Sequence, residues 1–211
     1  MVAQLQMLAE SVIAGWRADA ERQTREALAA GVSPQSILAD GLIAPMAEVG
    51  ARFERGEFYV PEMLIAARAM QAGLAVLKPY LAQGGIVMRG KVVIGTVKGD
   101  LHDIGKNLVS MMLQGGGFEV VDLGTDVSAE KFVQAAQEKK AAVVALSALL
   151  TTTMPQMANV VKALKEAGLG GKIKTMIGGA PVTQNFCDEI GADGYAPDAA
   201  SAVDKAKALT K

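Results

Sequence analysis

The sequence predicts a chain in two parts, a helical bundle followed by an α/β half built on a parallel sheet. Up to Gln83, apolar residues recur at three- and four-residue spacing, the period of helices with one buried stripe. From Lys91 onward, short apolar runs bounded by turn residues alternate with longer helical patterns, as in a parallel sheet covered by helices on both faces. Between the two, Gln83-Gly84-Gly85 to Arg89-Gly90 reads as a flexible connection. The expected divisions are a helical domain over 1–83, a linker over 84–90 and an α/β domain over 91–211.

A first helix is expected over about residues 4–29, ending at Gly31. Ser33-Pro34 pairs an N-cap with proline at the first helical position. That second helix runs through Ile37, Leu38, Leu42 and Met46 towards Phe53, with an adjustment near Gly41 and Pro45. Pro61 opens another, whose apolar stripe is Met63, Leu64, Ala67, Met70, Leu74 and Leu77. In the second half the expected strands cover 91–97, 118–122, 141–146, 172–177 and 193–196. Helices are expected over 104–115, 128–139, 154–167 and 182–190, with one more closing the chain.

Composition narrows the function classes. The 211 residues permit one large domain or two small ones. Apolar residues make up 51% and aromatics only 4%, so the core falls to Ala, Val, Leu, Ile and Met. The eleven methionines read as core filler, and Trp16 is likewise expected to pack inside. A net charge of −1 without a basic stripe gives nucleic-acid binding no electrostatic support. The lone Cys187 excludes an internal disulfide and a CxxC site, and reads as a small packing residue. Met1-Val2-Ala3-Gln4-Leu5-Gln6 lacks the basic region and apolar core of a signal peptide. The uncharged run 141–161 is long enough to span a bilayer, but its threonines, Pro155, Gln156 and Asn159 split it into strand, turn and helix. No membrane contact and a cytoplasmic location are expected.

The chemistry concentrates in Gly99-Asp100-Leu101-His102-Asp103-Ile104-Gly105-Lys106-Asn107, which holds the only histidine. It lies where a strand gives way to a helix, the end of an α/β sheet at which ligands bind. One imidazole cannot build an ordinary zinc cage, but it can be one axial ligand to a metal whose other ligands come from a macrocycle. Asp100 can fix the imidazole tautomer if strand geometry carries it to the same side. Asp103 can cap the helix at Ile104, and Gly105 leaves room for a bulky ligand. The alternative is a loop histidine with a satisfied hydrogen bond. A phosphate loop is excluded, because five residues separate Gly99 from Gly105 and Asn107 follows Lys106.

The run Asp-x-His-x-x-Gly, set within Thr96-Val97-Lys98 and Lys106-Asn107, resembles the corrinoid-binding part of methionine synthase. It is similar, more closely still, to the small corrinoid proteins of methyltransferase systems. The resemblance covers nearly the whole chain, although B12-dependent mutases share the hexapeptide. It implies a Rossmann-like (flavodoxin-like) doubly wound sheet of five strands in the order 2-1-3-4-5. It implies cobalamin or a related cobamide as cofactor, with His102 as lower axial ligand to cobalt. Asp100 would then hold the other imidazole nitrogen, and a hydroxyl at the position of Thr153 would complete a relay; the family often has serine there. Leu101, Asp103, Ile104 and Gly105 share the cofactor loop. The nucleotide tail would thread towards Ser147, Leu149, Thr151, Gly178 and Gly179, with Tyr195 closing its pocket. The helical half matches a cap in which the spacing from Phe53 to Val60 reproduces an apolar pair shielding the methyl group, with leucine there in place of Val60.

The function this resemblance implies is a methyl carrier, one subunit of a multi-component methyltransferase. Co(I) would accept a methyl group from methanol, a methylamine or a methoxylated aromatic held by a substrate-specific methyltransferase. Methyl-Co(III) would pass it, through a second methyltransferase, to tetrahydrofolate or coenzyme M. A reductive activator is the third implied partner. His102 is expected to bind and release in each cycle, and the cap to move aside. The rivals are a B12-dependent sensor, the cobalamin subunit of a mutase and a receiver-like module. No DNA-binding element or barrel accompanies the motif, which ranks the first two lower.

Overall fold

The computed structural model describes residues 2–83 and 88–211, which fall into a helical and an α/β compact unit. Residues 84–87 of the expected linker lie outside the described residues.

In the helical unit, α1 (Val2–Ile13) and α2 (Arg17–Ala29) replace the single helix expected over 4–29. Gly15 breaks it: its φ of 74° lies in the left-handed region, and a Cβ there would meet the Ile65 side chain at 2.5 Å. Trp16, expected inside, sits at the N-cap of α2 and is 59% exposed, because the break turns it off the buried stripe. Ser33 caps α3 (Pro34–Ser36), its Oγ accepting the Ser36 N–H at 3.1 Å. The adjustment near Gly41 and Pro45 is a π-helical segment, Ile37–Ile43, leading into α4 (Ala44–Glu54). There the Ala44 N–H donates to the Ala39 carbonyl five residues back. Pro45, lacking an N–H, cannot serve the carbonyl four residues before it, and the wider turn accommodates the loss. Pro61 stands in the first turn of α5 (Val60–Gln83). By length and composition α5 could cross a membrane over Val60–Tyr80, yet it packs along α2 with Met63, Ala66, Ala67, Met70 and Leu77 buried.

The α/β unit alternates without exception: β1 (Lys91–Thr96), α6 (Ile104–Gly115), β2 (Glu119–Asp122), α7 (Ala129–Lys139), β3 (Val143–Ser147), α8 (Pro155–Glu166), β4 (Lys174–Gly178), α9 (Gln184–Ile190), β5 (Gly194–Tyr195) and α10 (Ala199–Leu209). All pairings are parallel and the order is β2-β1-β3-β4-β5, as the resemblance implied. One sheet face buries Val93, Val144 and Leu146 against Phe132 of α7, Met157 and Val161 of α8, and Cys187 of α9. The other buries Val92, Ile94, Val143 and Met176 against Leu113 of α6 and Ala202 and Ala206 of α10. The chain therefore leaves β1 towards one face and β3 towards the other. Neighbouring strands whose connections part in this way open a crevice at their carboxyl ends.

Close packing under β1 rests on Gly95, where a Cβ would meet the Phe132 ring at 2.8 Å. Gly95→Ala is expected to cost about 1–3 kcal/mol by overpacking. Adding Phe132→Leu should cost less in that background than in the wild type, a non-additivity that urea unfolding of the four proteins will read.

Candidate functional site

The site grows from the end of β1. Beyond Thr96 the Val97 N–H donates to the Ser147 carbonyl (3.0 Å), and the Asp100 N–H turns back to the Val97 carbonyl (3.1 Å). Gly99, at φ 81°, supplies the left-handed residue this turn needs. Asp100 thus reaches the His102 side through a tight turn, not by continued strand geometry, which corrects the expectation above.

The Asp100 carboxylate is wholly buried. Its Oδ1 accepts from His102 Nδ1 (2.8 Å) and from the His102 N–H (3.1 Å). Its Oδ2 accepts from the Leu149 N–H (2.8 Å), the Leu150 N–H (3.3 Å) and Thr153 Oγ1 (2.7 Å). Burial pushes its pKa up, but the Leu149 amide, the Thr153 hydroxyl and both His102 donors together outweigh it and hold the group well below the usual carboxylate range. An ionised carboxylate has no proton to give, so His102 Nδ1 is the donor and Nε2 carries the free lone pair. The imidazole is 51% exposed. Thr153 Oγ1 also lies 2.9 Å from the Leu150 carbonyl, so its one proton faces two acceptors.

Around the imidazole the surface is unusually apolar. Leu101 is 73% exposed and Ile104 82%, and Leu149 and Leu150 are also exposed. Gly105 opens onto free space, with nothing within 4 Å of where a Cβ would stand. Asp103, at the mouth of α6, accepts from the Asn107 side-chain amide (3.0 Å). Ser147 is half-buried and pairs with Thr96 and Gly178, Thr151 is exposed, and Tyr195 is half-buried with its ring against the core. Gly178 ends β4 and Gly179 follows it. A Cβ on Gly179, at φ 138°, would fall 1.8 Å from the Ala148 carbonyl oxygen, and one on Gly178 3.0 Å from that of Ala196. The protein's own backbones need that space. Phe53 and Val60 stand at the two ends of the α4–α5 connection in the helical unit, the first half-buried and the second exposed.

Sequence reasoning missed the framework behind the loop. Thr96 Oγ1 donates to the His102 carbonyl (2.8 Å). Asp126, after β2, accepts the Gly99 N–H (2.7 Å) and gives its own N–H to the Asp100 carbonyl (3.0 Å). Lys106, 3% exposed, pairs with Asp122 and donates to Asn107 Oδ1 (2.7 Å). The available signal was Asp122-Leu123-Gly124-Thr125-Asp126, acids flanking a glycine at the strand end beside β1.

A lone imidazole with its tautomer fixed, a free Nε2 and a rim of exposed leucine and isoleucine fits a broad, largely apolar ring that carries its own metal. It does not fit a metal held by protein ligands alone. Fold and site together define a corrinoid-binding protein. A family model described as B12 binding domain matches residues 90–204, and a second of the same description matches residues 4–78. The chain belongs to the B12-binding family, and a corrinoid of the cobalamin type is its cofactor. Trimethylamine corrinoid protein 2 of Methanosarcina acetivorans is 48% identical over 194 residues, 91% of this chain and 89% of that protein. Dimethylamine corrinoid protein 1 of the same organism is 48% identical over 206 residues, 97% and 96% of the two chains. Among solved structures, the methanol:cobalamin methyltransferase complex of Methanosarcina barkeri matches with a TM-score of 0.87 and 33% identity, covering 99% of this chain and 80% of that one. A cobalamin-binding protein from Desulfitobacterium hafniense matches with a TM-score of 0.79 and 33% identity, covering 97% and 98%.

Two consequences follow for stability. Because the folded pKa of Asp100 is lowered, its contribution is complete above the unfolded value of about 4 and is lost as pH falls through the acid range. Asp100→Asn should be less stable by about 2–3 kcal/mol at neutral pH, with the gap closing below about pH 4 in urea unfolding at a series of pH values. Lys106→Ala should cost about 2 kcal/mol, chiefly by opening a cavity where the buried stem packs, whereas Lys106→Met should stay within about 1.5 kcal/mol in the same assay.

Proposed function

We propose that this chain is the methyl carrier of an amine methyltransferase system, with His102 as the lower axial ligand to cobalt. The observation that carries the reading is the exposed imidazole whose Nδ1 is committed to the buried Asp100, leaving Nε2 as the outward ligand atom. When bound, the corrinoid supplies a cobalt that takes a methyl group from one methyltransferase's donor and yields it to another's acceptor. Asp100 keeps the ring in the ligating tautomer, and Thr153 holds the far carboxylate oxygen. Leu101, Asp103, Ile104 and Gly105 would line the ring's lower face. Ser147, Leu149, Thr151, Gly178, Gly179 and Tyr195 would line the crevice that takes the nucleotide tail. Residues 1–83 would form a cap, with Phe53 and Val60 shielding the reactive face, joined through 84–90 to the binding domain at 91–211.

A methylamine is the favoured donor, because the relatives at 48% identity are named for trimethylamine and dimethylamine, whereas the methanol complex matches at 33%. The partners proposed are the amine-specific methyltransferase, a second methyltransferase serving coenzyme M or tetrahydrofolate, and a reductive activator. A cytoplasmic location fits these partners. The test loads the full chain with cobalamin, reduces it and adds mono-, di- or trimethylamine with the matching methyltransferase, following the visible spectrum of the cobalt. Methylation with one amine and not with methanol is expected. His102→Ala should weaken corrinoid binding at least about tenfold and remove the nitrogen-ligand signature from the Co(II) spectrum. A wild-type spectrum identical to that of His102→Ala would overturn the assignment.

A further inference from the structure

The segment between β1 and α6 has no ladder of its own, so something outside it must fix where His102 stands. The β2–α7 loop lies alongside and is laced to it. The Thr96 N–H donates to the Gly124 carbonyl (2.9 Å), and the Val127 N–H to the Thr96 carbonyl (3.0 Å). At the loop's apex Asp126 adopts φ 54°, a left-handed conformation that aspartate tolerates better than most side chains. That conformation lets a single residue grip the turn twice. Its Oδ1 accepts the Gly99 N–H at 2.7 Å, and its own N–H donates to the Asp100 carbonyl at 3.0 Å. Both grips fall on the two residues that swing Asp100 beneath the imidazole. On the far side of the segment, Thr96 Oγ1 holds the His102 carbonyl at 2.8 Å.

We propose that Asp126 is a positioning residue for the cobalt ligand: it fixes the Gly99–Asp100 turn so that His102 Nε2 is presented to the metal without reorganisation. The inference rests on His102 being the axial ligand. Asp126 is exposed, so water can replace its hydrogen bonds with little effect on folding. What its removal forfeits is the orientation of the ring.

Three substitutions separate the elements of this role. Asp126→Asn keeps both the acceptor and the tolerance of the left-handed backbone, Asp126→Gly keeps only the backbone, and Asp126→Ala loses both. Each full-length protein is loaded with cobalamin and titrated with cyanide, which displaces a lower ligand and is followed by the absorbance of the dicyano form. The midpoint for Asp126→Gly and Asp126→Ala should fall about three- to tenfold, the net worth of one ordinary hydrogen bond. Asp126→Asn should stay within about twofold of the wild type, and His102→Ala should give the lowest midpoint. Equal midpoints for the wild type and His102→Ala would remove the ligand assignment itself. A wild-type midpoint above that of His102→Ala, but matched by Asp126→Gly, would overturn the role of Asp126 alone. If the glycine and alanine variants fail to fold, amide exchange at Gly99 in the wild type decides. Protection of about tenfold or more supports the grip, and exchange at the free-peptide rate overturns it.

Discussion

A carboxylate without solvent is the constraint on which this site depends. Asp100 is fully buried, and an ionised group in that position is tolerated only when donors surround both oxygens. They come from separate parts of the chain: the imidazole and backbone of His102, the Leu149 and Leu150 amides, and the Thr153 hydroxyl. One residue therefore ties the loop after β1 to the loop after β3. The tie is possible because those strands are neighbours in the sheet, with Thr96 and Ser147 in register. Sheet order, turn geometry and imidazole tautomer are thus parts of one electrostatic solution.

The surroundings of that solution suit a large ligand. Exposed leucines and an isoleucine beside a half-open imidazole are costly to leave facing water, and a patch of this kind marks a binding surface. The glycines at the end of β4 bring neighbouring backbones within contact, so the strand ends form a tight crevice wall, while Gly105 leaves open space around its own backbone. Membership of the B12-binding family accounts for both features at once.

How much of this was legible in the sequence follows from the range of the interactions involved. Element type came from hydrophobic period, which is local, and the alternation after Lys91 gave every strand and helix of the α/β unit to within a few residues. The His102 motif and the Thr153 position were readable because a resemblance linked residues far apart in the chain. The break at Gly15 was not, since a continuous apolar pattern hid a turn whose glycine packs against Ile65, fifty residues on. Trp16 was misplaced for the same reason. Asp126 and Lys106 act through contacts with other strand ends, which the acids flanking Gly124 hint at but cannot assign to a partner. Gly179 was found, but its close approach to Ala148 joins residues on different strand ends and leaves no mark in the local sequence.

Among the donors to Asp100, only the ring of His102 stands on a side chain that faces solvent; Thr153 is buried and the others are backbone amides. The carboxylate is therefore a gatepost and the imidazole its gate. Swinging the ring outward would undo one hydrogen bond and leave the post anchored from the opposite side. Rotation about two side-chain bonds would thus move the imidazole while the sheet beneath remains still.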